Sequence, residues 1–219
     1  MNLNVEKILI IGLGMIGSSI ALASKSKGIK VYGFDKSNKF IKEALEKNII
    51  DSKVESILDI NSKDFVKKVD LIVVAVPPKQ TLDVLNDLKD IWNTDVTITD
   101  TSSVKNHIKL NGASNIVLSH PIAGSDQSGI SAANGDLFKN KKNVLCDPFN
   151  SKKGHFEKVD NFWKNALQMR TSLMSVTEHD LIFAMTSHLP HLVSYALIDS
   201  IRLSNHDVDD NAGGGLKEF

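Results

Sequence analysis

The sequence predicts an α/β fold: a Rossmann-type, doubly wound, mostly parallel sheet over residues 1–149, followed by an incomplete, all-helical second domain over 150–219. Three observations predict it. Short apolar runs ended by glycine or proline alternate with helical stretches up to Pro148. A glycine-rich turn, Gly12-Leu13-Gly14-Met15-Ile16-Gly17, joins the first apolar run to the first helix. Beyond Asp147-Pro148 the alternation stops and the pattern becomes helical.

The elements follow in order. Lys7 to Ile11 is a continuous apolar run of the kind that forms a strand buried on both faces. Ser18 to Ser24 reads as a helix that Gly28 punctuates, and Lys30 to Phe34 as a second strand. A helix from Asn38 to Asn48 and a polar connector lead to the buried run Val69 to Val76, which Pro77-Pro78 ends because neither proline can donate to a ladder. A helix near Thr81 to Trp92 precedes a strand at Asp95 to Thr99, and shorter strands are expected at Asn115 to Leu118 and Asn143 to Cys146. The second domain reads as a helix from Gly154 to Leu167, a connector at Thr171 to Ser175 and a long helix from Val176 to Leu203.

Composition narrows the function classes. The 219 residues carry 26 basic and 26 acidic side chains, a net charge of zero, so the electrostatic footprint of a nucleic-acid binder is missing. With 42% hydrophobic residues the chain can bury a sizeable core. Cys146 is the single cysteine, which rules out an intrachain disulfide. No uninterrupted apolar run approaches the roughly 18 residues that span a bilayer, and no secretory leader pattern opens the chain. The expectation is a cytoplasmic protein that does not act at a membrane and whose partners are a small molecule and a second copy of itself.

The glycine turn carries a specific chemistry. Gly12 permits the tight turn, Gly14 lets a pyrophosphate approach the backbone beside Leu13, Met15 and Ile16, and Gly17 permits close helix packing. The helix start then offers N–H groups and a partial positive charge to phosphates. Asp35 ends the second strand about 20 residues on, where a carboxylate accepts hydrogen bonds from ribose hydroxyls and repels a 2′-phosphate. NAD is therefore the expected cofactor, a preference that the neighbouring Lys36 weakens. Val76, Pro77 and Pro78 lie at the carboxyl end of a central strand and are expected to touch the cofactor.

Two clusters follow the later strands. Asp100-Thr101-Ser102-Ser103-Val104-Lys105 reads as a strand end entering a helix, with Thr101, Ser102 or Ser103 as its N-cap. Ser119-His120-Pro121-Ile122-Ala123-Gly124-Ser125 places an imidazole in a small-residue loop at the ligand-binding edge, where it can exchange a proton near neutral pH. Farther on, His188 and His191 are spaced three apart on a helix that Pro190 would kink. With His179 and Asp180 they also have the chemistry of a metal site, but that reading leaves the nucleotide fingerprint unexplained, so no metal is expected. Cys146, Trp92 and Trp163 read as packing residues.

Taken together these runs resemble the prephenate/arogenate dehydrogenase family. The resemblance rests on Asp100 to Lys105, His120 to Gly124, Ser128-Gly129, Leu137-Phe138, His179-Asp180, Ser187-His188-Leu189-Pro190-His191 and Gly213-Gly214-Gly215, in that order. It implies an NAD-dependent oxidative decarboxylation of prephenate in tyrosine biosynthesis, with arogenate as the alternative substrate. It further implies His120 as the base at the substrate 4-hydroxyl and Ser103 as the residue orienting it. Thr101 and Ser102 fall to the cofactor, and His191, His188, Gly124 and Ser125 to the substrate pocket. A homodimer through the helical domain is implied as well. In the family a substrate-binding arginine follows the segment written here Gly213 to Phe219, with further helices after it, and Asp126 stands where relatives often carry glutamate. The expectation from this departure is a chain that binds NAD and turns prephenate over poorly, if at all. Two further readings remain: another two-domain NAD(P) dehydrogenase or imine reductase, and an inactive NAD-binding dimerisation module.

Overall fold

The computed structural model describes residues 5–124 and 127–203, apart from the side chain of Lys63. The chain divides into two compact units, 1–177 and 178–219.

The first unit is built on an eight-stranded sheet. Strand β1 (Lys7–Ile11) leads through the glycine turn into helix α1 (Met15–Lys25) and strand β2 (Lys30–Phe34). Helix α2 (Asn38–Glu46), the two-residue strand β3 (Ser52–Lys53) and the short helices α3 (Ile57–Ile60) and α4 (Lys63–Val66) precede strand β4 (Leu71–Val74). Helix α5 (Pro78–Asp87) and a 3-10 turn (Lys89–Ile91) lead to β5 (Thr97–Asp100), β6 (Ile116–Ile122), a second 3-10 turn (Ile130–Ala132) and β7 (Lys142–Cys146). Helix α6 (Lys153–Asn161), a π-helical turn (Phe162–Ala166) and β8 (Arg170–Leu173) complete the unit.

Strand order is β3-β2-β1-β4-β5-β6-β7-β8. The first six strands are parallel, β7 runs antiparallel to β6, and β8 is parallel to β7. Order reverses between β1 and β4, so the crevice for a ligand opens at the carboxyl ends of those two strands. All four residues of β4 and four of five in β1 are buried, as expected for strands covered on both faces. Ile8, Ile10, Val31, Leu71 and Val73 form the centre of the core, and Phe138, Phe162 and Trp163 extend it towards α6.

Four sequence expectations change. Helix α5 starts at Pro78, three residues before Thr81, because proline is pre-set for the first helical position and its missing N–H has no intrahelical partner there. No helix follows Ser103: residues 104–110 run through turns, and Lys105 sends its ammonium group into the protein rather than onto a helix surface. His120 lies within β6, not in a loop beyond it. The boundary expected at 149/150 falls instead at 177/178, since α6 packs on β5 and β6 and the expected connector at Thr171 forms β8 against β7.

The second unit contains the rest of helix α7 (Val176–Phe183), a π-helical turn (Ala184–His188) and helix α8 (Leu189–Leu203). The chain stays helical through Pro190. The proline has no N–H to give Thr186, and the wider π turn just before it absorbs the ring. By length and composition the helix Val176–Leu203 is apolar enough to cross a membrane. A search for an uninterrupted apolar run misses it because Asp180, His188 and Asp199 interrupt the sequence. Leu181, Met185, Leu189, Leu192 and Tyr195 are exposed along it.

Candidate active site

The glycine turn is held by steric necessity. Gly12 has φ of 97°, and a Cβ there would stand 2.5 Å from the Ala75 carbonyl oxygen. A Cβ on Gly17 would stand 1.9 Å from the Gly12 oxygen, so α1 can sit this close to β1 only with hydrogen at that position. Over Gly14 nothing lies within 4 Å, and that opening is where a phosphate can reach the backbone. Gly14 is the N-cap of α1, and no side chain caps the helix, which leaves its first N–H groups to a ligand. Leu13 departs from its expected role: its side chain is fully buried, and its N–H donates to Asp35 Oδ2 at 2.7 Å. Asp35 Oδ1 accepts the Ser37 N–H at 2.7 Å, so the carboxylate is fixed at the end of β2 with lone pairs remaining for a ribose.

Two adjoining cavities open from this turn. One of about 260 Å³ is lined by Gly12, Gly14, Asp35, Val76, Pro77 and side chains of α2 and α5, and it suits an adenosine half. The other, about 390 Å³, brings together Gly14, Met15, Ile16, Val76, Pro77, Pro78, Thr101, Ser102, Ser103 and His120. Gly14, Val76 and Pro77 line both. A larger hollow of about 650 Å³ near Asp70 and Val96 sits at the opposite, amino-terminal ends of the strands, away from the edge where doubly wound sheets bind ligands.

Beneath the second cavity lies an ion pair that the sequence reading passed over. Asp100 and Lys105 are both fully buried, with Lys105 Nζ donating to Asp100 Oδ2 at 2.6 Å. Asp100 Oδ2 also accepts the Ser102 N–H at 2.9 Å, Asp100 Oδ1 accepts the Ser119 N–H at 3.0 Å, and Lys105 Nζ donates to the Ser119 carbonyl at 2.6 Å. Ser119 Oγ shares a hydrogen bond with Thr99 Oγ1 at 2.7 Å and accepts the Trp163 indole N–H at 3.0 Å. Trp163 is thus a donor as well as a packing residue. Ser102 Oγ donates to the Val104 carbonyl at 2.9 Å and accepts the Val104 N–H, closing a turn instead of capping a helix. The signal available in the sequence was a Lys five residues after a strand-end Asp, between otherwise small or apolar residues.

Gly124 is exposed beside the cavity and does not line it; Gln127, Ser128 and Gly129, which follow it, do. Ser125, Asp126 and Gly213 to Gly215 lie outside the described residues. In the second unit His191 Nδ1 donates to the Ser187 carbonyl at 2.7 Å, which leaves Nε2 as the acceptor nitrogen of the neutral ring. His188 is half-buried. His179 is fully buried, bonded through Nδ1 to Asp180 Oδ1 at 2.8 Å and set against the Phe183 ring. Among the described residues no group of three or more His, Cys, Asp or Glu side chains is placed to hold a metal.

An uncapped helix start, an acidic residue closing β2 and paired cavities at the sheet's reversal point define a dinucleotide-binding α/β protein whose second cavity ends on a histidine. Comparison with known proteins narrows the class. Residues 20–169 match the prephenate dehydrogenase nucleotide-binding domain, and residues 175–219 the prephenate dehydrogenase dimerization domain. A cyclohexadienyl dehydrogenase of Zymomonas mobilis is 33% identical over 90% of this chain and 67% of its own length. The Bacillus subtilis prephenate dehydrogenase is 33% identical over 100% of this chain and 61% of its own. The crystal structure of A. aeolicus prephenate dehydrogenase in complex with hydroxyphenyl propionate and NAD+ superposes with a TM-score of 0.86 at 29% identity, covering 100% of this chain and 78% of that one. The chain belongs to the prephenate dehydrogenase family. It spans 61 to 67% of the length of these two curated relatives.

Proposed function

We propose that this chain carries the NAD-binding and proton-handling parts of a prephenate dehydrogenase, the enzyme that converts prephenate to 4-hydroxyphenylpyruvate and carbon dioxide in tyrosine biosynthesis. The observation that carries the reading is the shared cavity, in which Gly14, Met15 and Ile16 of the phosphate turn meet Ser102, Ser103 and His120. A nicotinamide reaching from the turn and a ring of substrate size would both be within this space.

NAD is the cofactor the residues fit: Asp35 for the adenosine ribose, the uncapped start of α1 and the open face of Gly14 for the pyrophosphate, and Thr101, Ser102, Val76, Pro77 and Pro78 for the nicotinamide end. When bound, NAD supplies the acceptor for the hydride that leaves ring carbon 4. His120 takes the proton of the 4-hydroxyl as the carbonyl forms at that carbon. Loss of the ring carboxylate as carbon dioxide then returns its bonding electrons to the ring, and the same imidazole gives the proton back to the phenolic oxygen. Ser103, which lines the same cavity, orients the imidazole. Proximity and general base catalysis are the contributions the protein makes, since aromatisation supplies the driving force.

His191 and His188 are assigned to substrate binding on the family resemblance alone, and the second unit, with its exposed apolar side chains, to a homodimer contact. The test is product analysis after incubation with NAD and either prephenate or arogenate. The reading expects 4-hydroxyphenylpyruvate from prephenate. Tyrosine from arogenate without product from prephenate would move the assignment to the amino substrate, and no product from either would replace it with the inactive NAD-binding module.

A further inference from the structure

Strands β5 and β6 part company just below the second cavity. Their parallel ladder ends at the pair Thr99 and Val117, while β6 runs on to Ile122 paired, among the described strands, with β7 on its other side. Among the described strands, none pairs with the edge of β6 facing β5 from Ser119 onward. Asp100 and Lys105 take the place of that strand: a carboxylate oxygen accepts the Ser119 N–H and the ammonium group donates to the Ser119 carbonyl. Pro121, two residues on and facing the same way, has no N–H to satisfy. The same carboxylate holds the Ser102 N–H, so one buried group ties the residue before Ser103 to the residue before His120.

We propose that Asp100, with Lys105 as its buried counter-ion, is the positioning residue that sets His120 relative to Ser103 in the shared cavity. The proposal rests on the assignment of His120 as the base. A buried ion pair is a weak source of stability, because apolar residues of the same shape serve as well or better. Its geometric effect is specific: every polar atom of Ser119 is engaged, by Asp100, Lys105, Thr99 and Trp163, which leaves the backbone entering His120 one conformation.

The test replaces both charges at once, Asp100→Asn with Lys105→Met, so that no lone buried charge unfolds the chain; Trp163→Phe, which removes one of the two hydrogen bonds at the Ser119 hydroxyl, serves as a milder second variant. Thermal melting and NAD titration establish folding, and kcat and KM for prephenate are measured with and without His120→Asn. Positioning predicts a fall in kcat of at least tenfold for the double variant, a KM and an NAD affinity within threefold of the parent, and less than a twofold further effect once His120 is Asn. It also predicts that the imidazole proton resonance of His120, assigned by its loss in His120→Asn, shifts in the double variant and more weakly in Trp163→Phe. An unchanged His120 resonance overturns the proposal whatever the activity, as does a kcat loss that persists in full in the His120→Asn background. A parent chain inactive on prephenate refutes the functional assignment alone, and the resonance then decides the positioning claim.

Discussion

Leu13 and Asp35, 22 residues apart, are joined by a 2.7 Å hydrogen bond from the Leu13 amide to Asp35 Oδ2. The carboxylate that is to recognise a ribose thus also fixes the turn that is to hold the pyrophosphate. Recognition at one end of the cofactor is mechanically linked to recognition at its middle.

Asp35→Ala should therefore cost more than one ribose contact. NAD affinity is expected to fall at least tenfold, about 1.4 kcal/mol, and NADP affinity to fall less, since the repulsion of a 2′-phosphate is removed as well. The unpaired Leu13 and Ser37 amides should lower stability by about 1 to 3 kcal/mol. Fluorescence titration with both cofactors and urea denaturation measure these; equal losses for NAD and NADP would contradict the assignment of Asp35.

Gly14 and Gly17 give opposite expectations. Gly17→Ala drives a methyl into the Gly12 carbonyl, so α1 must move away from β1, and a loss of about 1 to 3 kcal/mol or more is expected from such overpacking. Gly14→Ala meets nothing within 4 Å and should leave the melting temperature unchanged while weakening NAD binding. Melting curves with and without NAD separate the two.

The fold was legible where the side chains were apolar in runs. β1, β4 and β7 were visible because strands buried on both faces need continuous apolar residues, and the order of strand and helix then follows. β3 and β8 were not, since two residues, Ser52 and Lys53, and the polar run Arg170 to Leu173 become strands only through their neighbours' registers. The missing helix after Ser103 has the same origin: Lys105 is a good helix residue drawn inward by a partner, Asp100, and by a carbonyl on β6. Of the candidate site, the glycine turn and Asp35 were expected from motif and spacing, and the roles proposed for Ser103 and His120 from the family resemblance. The Asp100, Ser119 and Trp163 connections could not, because they join three elements that only the folded sheet brings together.

His155 gives a pH dependence of known sign. It is buried on α6, bonded through Nδ1 to Thr97 Oγ1 at 2.8 Å, and burial together with Lys158 and Lys152 pushes its pKa below the ordinary 6.5, against a smaller opposing effect of Asp95. The unfolded chain binds the proton first, so stability is full above pH 6.5 and is lost as pH falls from there through the lower folded-state value. His155→Gln should flatten that part of the stability curve. An equally steep decline in the variant would place its cause elsewhere.

His120→Asn should lower turnover of prephenate by about 10²-fold or more, the usual scale of a general base, with NAD affinity nearly unchanged because His120 lines the second cavity and not the one assigned to the adenosine half. Loss of NAD binding in this variant would make His120 a cofactor residue instead.

The central claim, that the cavity shared by the glycine turn and His120 performs oxidative decarboxylation, is tested most directly by stoichiometry. Prephenate is supplied with excess NAD, and carbon dioxide and NADH are counted against prephenate consumed. The account predicts one of each per prephenate, with both falling together in His120→Asn. NADH formed without carbon dioxide, or neither product from a chain that binds NAD, would contradict it.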